Sequence, residues 1–160
     1  MKQSRLPDLG RRGEGWFAAQ VGLFVLIGVA GSVGPVWSGT ARAGTDVLGA
    51  VLLGTGGLFA LRGLVDLREN LTPFPLPLPG ARLVDTGAYR LARHPIYGGL
   101  ILGALGWGLL TASPAAIVGA GVLAVFFDLK SRREEIWLAA QFAGYPAYRS
   151  RTRRLIPWLY

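Results

Sequence analysis

Three long apolar runs divide the sequence, and each is almost free of ionisable side chains. Residues 16–37 and 96–127 contain none, and residues 47–65 contain only Arg62. A helix needs about 20 apolar residues to cross about 30 Å of hydrocarbon, so the first two runs each predict one membrane helix. A helix over the third run would be roughly 48 Å long, too long for one crossing. Residues 111–114, which end in a proline, lie near its middle and predict a hairpin of two short, tilted membrane helices.

The composition agrees with one membrane-embedded domain over residues 1–160. Of these residues, 51% are hydrophobic and 16% are charged, and there is no cysteine. The lack of cysteine excludes disulfides, thiolate metal sites and cysteine nucleophiles. We therefore predict an all-α, polytopic membrane helix bundle of about four membrane segments with a cytoplasmic C-terminal helix. The first two segments lie within residues 1–66.

The positive charge is distributed in a way that indicates topology. The net charge is +8, and with four crossings sixteen of the 17 lysines and arginines fall on one side and only Arg42 on the other. The positive-inside bias then predicts that both termini and the middle loop are cytoplasmic, so the active site is expected there too. The basic clusters suit contacts with anionic lipids of the bilayer. No aromatic-interleaved basic groove accompanies them, so no nucleic-acid partner is predicted.

The cytoplasmic loop and tail have room for chemistry. In residues 72–80 prolines recur at every second position, which predicts an extended path and is most simply interpreted as a linker. In the tail, Glu134, Glu135, Leu138 and Phe142 recur at helical spacing. The sequence Gly144-Tyr145-Pro146 is expected to end that helix.

His94, the only histidine, stands immediately before the longest apolar run, within Arg93-His94-Pro95. Proline restricts the preceding residue to extended geometry and pre-sets the first helical turn, so His94 is predicted to cap the third membrane segment. The backbone amides of a helix start favour an anion such as a ligand carboxylate. Anchoring of the helix end at the membrane interface is an equally good interpretation.

Glu134 and Glu135 are adjacent acidic residues at the inner end of the last membrane segment. A carboxylate there can neutralise a cation or hold ribose hydroxyls. Lys130 precedes Glu134 by four residues, and an ion pair of a few tenths of a kcal/mol between them is the simpler interpretation.

Residues 83–89 (Leu-Val-Asp-Thr-Gly-Ala-Tyr) and 93–98 (Arg-His-Pro-Ile-Tyr-Gly) resemble one half of a known cofactor site. The family is the isoprenylcysteine carboxyl methyltransferase and phospholipid methyltransferase superfamily. After an apolar hairpin, its second half is matched by Glu134, Glu135, Leu138, Phe142, Tyr145, Tyr148, Ile156 and Pro157. The resemblance covers residues 81–157, and the paired motifs are more specific than either alone.

The resemblance implies an integral membrane methyltransferase whose pocket binds S-adenosylmethionine and receives a lipid or small amphiphilic substrate. It implies cofactor contacts from Leu83, Val84, Tyr89, His94, Pro95, Tyr97 and Glu134. The family's substrate-contacting arginine falls at Lys130, which lacks the planar fork that binds a carboxylate through two bonds. Arg132 and Arg133 are neighbouring candidates for substrate binding. Lys130 and Glu135 are the candidate catalytic residues, with Glu135 either accepting a substrate proton or pairing structurally.

Methyl transfer from a sulfonium chiefly requires alignment and exclusion of water, so the lack of a nucleophile and base pair is no objection. The ring faces of Tyr89 and Tyr97 suit a sulfonium cation. Two other classes stay open: a nicotinamide-dependent membrane reductase, and a non-catalytic membrane interaction protein. The second is compatible with small-residue helix faces at Gly54, Gly57, Gly103 and Gly106.

Overall fold

A computed structural model describes residues 7, 9–33, 37–38 and 42–160, and the regular secondary structure within them is helical. Short 3-10 turns at Arg68–Asn70 and Gly87–Arg90 lie in the long connection between the second and third α-helices. The α-helices of the described residues are α1 (Glu14–Val33), α2 (Arg42–Leu67), α3 (Pro95–Leu110), α4 (Pro114–Gln141) and α5 (Tyr145–Arg151).

The described helices have the lengths and surfaces of a membrane bundle. Of them, α1, α2 with the turn that follows it, and α4 are long and apolar enough to cross a bilayer, whereas α3 is a shorter apolar helix of 16 residues. Large aliphatic side chains cover the outer faces, among them Leu26, Leu58 and Val118, each about two-thirds exposed. Such a surface suits lipid rather than water. The predicted all-helical membrane fold is confirmed.

The predicted break at residues 111–114 is also confirmed. Helix α3 ends at Leu110, and Ser113 caps α4 by accepting a hydrogen bond from the Ala116 amide. The Ser113 hydroxyl also donates to the carbonyl oxygen of Ala30, 2.8 Å away, which ties the hairpin to α1. A buried helix start therefore has its polar groups satisfied.

The fourth helix is longer than the sequence predicted. We expected a short membrane helix as the second arm of the hairpin, followed by a separate helix in the tail. Helix α4 continues without interruption for 28 residues and includes Glu134 and Glu135. Residues 122–141 contain neither glycine nor proline, so nothing in that stretch ends the helix. The candidate carboxylates therefore stand on a rigid extension of a membrane helix.

Glycines allow α2 and α3 to pack backbone against backbone. A Cβ built at Gly56 would lie 2.6 Å from the carbonyl oxygen of Gly99, and one at Gly106 would lie 2.6 Å from that of Gly49. By contrast, a Cβ at Gly54 or Gly57 would meet nothing within 4 Å. The sequence prediction of a small-residue packing face is therefore right for Gly106 and wrong for Gly54 and Gly57, which face away from α3.

The chain after α5 returns to the start of α3. The amides of Arg93 and His94 donate to the carbonyl oxygens of Arg153 and Arg154, at 2.8 and 2.9 Å. This contact brings the two halves of the predicted site together at one end of the bundle. Arg42 lies at the other end, where its guanidinium donates to the carbonyl oxygen of Leu110.

Candidate active site

A cavity of about 330 Å³ opens between the ends of α1 to α4, the α2–α3 connection and α5. Its volume lies within the ~300–1,000 Å³ range of small-molecule sites. Most of the residues predicted from the sequence to bind cofactor or substrate line it, namely Leu83, Val84, Tyr89, His94, Tyr97, Lys130 and Glu134. The two sequence motifs thus meet in one cavity.

Four predicted site residues are not among the lining residues. Of these, Arg132 pairs with Asp128, with Nε 2.7 Å from Oδ2. Pro95 is buried at the start of α3, where it packs near Gly63 of α2. The Arg133 guanidinium lies over the Trp137 ring, 4.3 Å from its centroid. Glu135 is 4% exposed, and its carboxylate lies against the guanidinium groups of Arg93 and Arg154.

Tyr97 is held rigidly at the centre of the site. Its ring stacks on His94 with centroids 5.4 Å apart, and on Phe127 with centroids 4.4 Å apart. The interplanar angles are 2° and 9°. The ring also lies under a cation of the chain itself, because Lys130 Nζ is 5.1 Å from its centroid, and the hydroxyl donates to Glu134.

Glu134 is the carboxylate of the cavity. Its Oε2 accepts a hydrogen bond from the Tyr97 hydroxyl at 3.0 Å and lies 3.7 Å from Nδ1 of His94. Its side chain keeps 22% of its surface exposed. The carboxylate is therefore oriented by α3 and open to the cavity.

Lys130 is held by α1. Its Nζ donates to Oε1 of Gln20 at 2.6 Å and lies 5.1 Å from the centroid of the Tyr97 ring. The residue is 1% exposed. Among the residues that the structure describes, Lys130 and Glu134 make no ion pair, so the prediction of that pair from helical spacing is wrong.

Glu135 is enclosed by positive charge. Its Oε1 accepts from Arg93 Nε at 2.8 Å and lies 3.4 Å from Arg154 Nε, while Oε2 lies 3.7 Å from Arg149 Nε. His94 Nε2 is 3.5 Å from Oε1. This cluster fastens the start of α3 to α4 and to the C-terminal segment, since Arg93 also donates to the carbonyl of Thr152.

Three further tyrosines, Tyr89, Tyr145 and Tyr148, line the cavity. The Tyr148 hydroxyl donates to the carbonyl oxygen of Tyr89 at 2.7 Å. Burial raises the pKa values of Tyr89, Tyr145 and Tyr148 above the usual range of a tyrosine, so the three phenols stay neutral. Within the described part of the chain, the buried Tyr145 hydroxyl has no hydrogen-bond partner, and it belongs to a residue that lines the cavity. A ligand can supply the missing partner.

Sequence reasoning missed two parts of the wall. Phe17 and Gln20 of α1 and Leu64 of α2 line the cavity, although all three precede residues 81–157, where the resemblance placed the site. The proline-rich segment also contributes, through Thr72, Pro73 and Pro77 among others, so its interpretation as a mere linker is wrong. The isolated glutamine in the otherwise apolar first run was the available signal for Gln20.

Two comparisons with known proteins bear on this site. The model of the phospholipid methyltransferase family matches residues 45–144, well over half of the chain. The cobalt-zinc-cadmium resistance protein CzcN of Cupriavidus metallidurans is 38% identical over 78 residues. That match covers 48% of this chain and 36% of the relative, so the chain spans about a third of that protein's length.

Proposed function

The chain belongs to the phospholipid methyltransferase family, and we propose that it transfers the methyl group of S-adenosylmethionine to a lipid or other amphiphilic acceptor. The single observation that carries the proposal is the partly exposed carboxylate of Glu134 in a cavity walled mostly by aromatic and apolar side chains. One oriented carboxylate beside neutral phenols suits a ligand that carries a positive charge and hydroxyl groups.

The polar groups of the cavity fit this cofactor. Glu134 can accept from an ammonium or from ribose hydroxyls, and the unpartnered Tyr145 hydroxyl can donate to a ligand oxygen or nitrogen. Leu83, Val84 and Tyr89 supply apolar surface for a purine. His94 stands at the N-cap of α3, where a helix start favours a carboxylate.

When bound, S-adenosylmethionine supplies an electrophilic methyl group on a sulfonium that leaves without protonation. The contribution of the chain is to hold cofactor and acceptor in line and to exclude water. The Tyr97 hydroxyl fixes the direction of the Glu134 carboxylate. The proline-rich segment, which belongs to the α2–α3 connection, forms part of the cavity wall.

The acceptor is proposed to enter from the membrane side of the cavity. Phe17, Leu64 and Ile96 line that side, and all three stand at the ends of the bundle helices. Lys130 adds one positive charge there, which suits contact with an acceptor's polar group. With the arginine-rich tail at the same end, we propose that the cavity faces the cytoplasm.

We assign Glu135 to positioning and not to proton transfer. Its carboxylate is 4% exposed and is held by Arg93 and Arg154 behind the cavity wall. A base must come within hydrogen-bonding reach of the proton that it accepts. Some methyl acceptors lose a proton during the reaction. We propose that water or Glu134 takes up that proton.

The test is calorimetric titration of the purified protein in detergent with S-adenosylhomocysteine, and with NADPH as the alternative cofactor. We expect saturable binding of S-adenosylhomocysteine alone, and a loss of about tenfold or more in Glu134→Gln. Glu69→Gln is the matched control, because Glu69 is an exposed glutamate outside the cavity. Binding of NADPH alone would favour the reductase, and binding of neither would favour a non-catalytic protein.

A further inference from the structure

Lys130 and Glu134 have the charges and the spacing of an ion pair, yet they are held apart. They are four residues apart on α4, and both line the same cavity. Opposite charges at this spacing lie on neighbouring turns of one helix face and normally attract each other. In this bundle each of the two side chains has another polar partner, and the two partners come from different helices.

Gln20 of α1 is the partner of Lys130. The contact of 2.6 Å between Nζ and Gln20 Oε1 supplies an acceptor to an ammonium group that is 1% exposed. A buried ammonium without an acceptor is costly, so the side chain stays where an acceptor is offered. The contact therefore draws Lys130 toward α1.

Tyr97 of α3 is the partner of Glu134. Its ring stacks on both His94 and Phe127, and these contacts restrict the position of its hydroxyl. The hydrogen bond of 3.0 Å holds the carboxylate toward α3. Within the described residues, Glu134 thus makes no ion pair with Lys130, and its carboxylate stays open to the cavity.

We propose that Gln20 is a positioning residue that keeps Lys130 away from Glu134 and so leaves the Glu134 carboxylate free to bind S-adenosylmethionine. The inference rests on the proposed function. Gln20 lies before residues 45–144, the part of the chain that the family model matches. The N-terminal helix thereby completes a cofactor site whose other residues come from the matched part and the tail.

The experiment is a double-mutant cycle on S-adenosylhomocysteine affinity, measured by calorimetry. In Gln20→Leu the ammonium loses its acceptor and turns to Glu134, so binding should weaken by about tenfold. Lys130→Met removes the competing cation and should bind at least as tightly as the wild type. The double variant Gln20→Leu/Lys130→Met should recover the affinity of Lys130→Met, because no ammonium is left to occupy Glu134.

Three further variants separate positioning from folding. Gln20→Glu keeps an acceptor for Lys130 and should bind as the wild type does. In Gln20→Asn the side chain is one methylene shorter and does not reach Lys130, so S-adenosylhomocysteine binding should weaken. This variant replaces Gln20→Leu in the test if the leucine variant does not fold. Ser32→Ala is the control, since Ser32 is an exposed polar residue of α1 that bonds only to the Gly28 carbonyl of its own helix among the described residues and lies outside the cavity.

The outcomes are distinguishable. Recovery in the double variant supports the inference, since a purely structural loss would persist when Lys130 is also removed. Unchanged affinity in Gln20→Leu and Gln20→Asn, or losses that persist in the double variant, overturns it while the proposed function stands. A wild-type protein that binds no S-adenosylhomocysteine overturns both.

Discussion

Glu134 and Glu135 are neighbours in the sequence, and the structure predicts opposite consequences for removing their charges. Glu135→Gln removes the negative charge that Arg93 and Arg154 share, and both guanidinium groups are largely buried. Glu134→Gln removes a carboxylate that accepts one hydrogen bond from Tyr97 and keeps part of its surface open. The first change should therefore affect folding, and the second should affect cofactor binding.

The size of the stability difference follows from burial. Breaking a buried ion pair by neutralising one partner costs about 3–5 kcal/mol, because the other charge is left uncompensated. We take about 3 kcal/mol for Glu135→Gln, since Arg149, which also faces Glu135, is 56% exposed and retains water. For a chain of this size that corresponds to a fall of roughly 6–12 °C in apparent melting temperature. Glu134→Gln should cost under about 1 kcal/mol, because a neutral amide can still accept from Tyr97.

The assay measures two quantities on each variant in the same detergent: the melting temperature by intrinsic fluorescence, and the affinity for S-adenosylhomocysteine. Glu135→Gln is expected to melt earlier and, at a temperature where it is folded, to bind with nearly wild-type affinity. Glu134→Gln is expected to melt like the wild type and to bind poorly. Equal melting temperatures for the two variants would refute the division of roles between these glutamates.

Three other substitutions test the packing and the cavity wall. Gly56→Leu should destabilise the bundle by about 1–3 kcal/mol, since its side chain would meet the backbone of Gly99, whereas Gly57→Leu should be tolerated in the same thermal melt. Tyr145→Phe should leave the melting temperature within about 1 °C, because the hydroxyl has no partner among the described residues, and should weaken S-adenosylhomocysteine binding several-fold in calorimetry. Ser113→Ala should lower stability by about 1 kcal/mol through loss of the α4 cap, and an unchanged denaturation midpoint in sodium dodecyl sulfate would contradict that reading.

The fold followed closely from local sequence signals. Apolar runs longer than a bilayer span determine membrane helices, because the hydrocarbon core leaves backbone polar groups no other partner. The break at residues 111–114 and the cap at His94 depend on proline geometry, which is also a local property. The end of α4 was harder to locate, since a helix extends from the membrane as long as no residue stops it.

The composition of the site was only partly readable. Paired motifs located most of the cavity wall, including Tyr89, His94 and Glu134. They assigned Pro95 to it as well, and Arg133 was added as a neighbour of Lys130, although Pro95 packs against α2 and Arg133 lies over Trp137. A motif states which residues recur together, and it does not state which way each side chain points.

By itself, then, the sequence determined that this is a helical membrane protein with one charged, aromatic-rich end. Tertiary structure decided which charges face the cavity. Successive residues of a helix point about 100° apart, so Glu134 and Glu135 meet largely different neighbours although both approach His94. Only the positions of α1, α3 and the tail decide which neighbours those are. Gln20 meets Lys130 across 110 residues of sequence for the same reason. Contacts of that separation arise from helix packing, which no local pattern records.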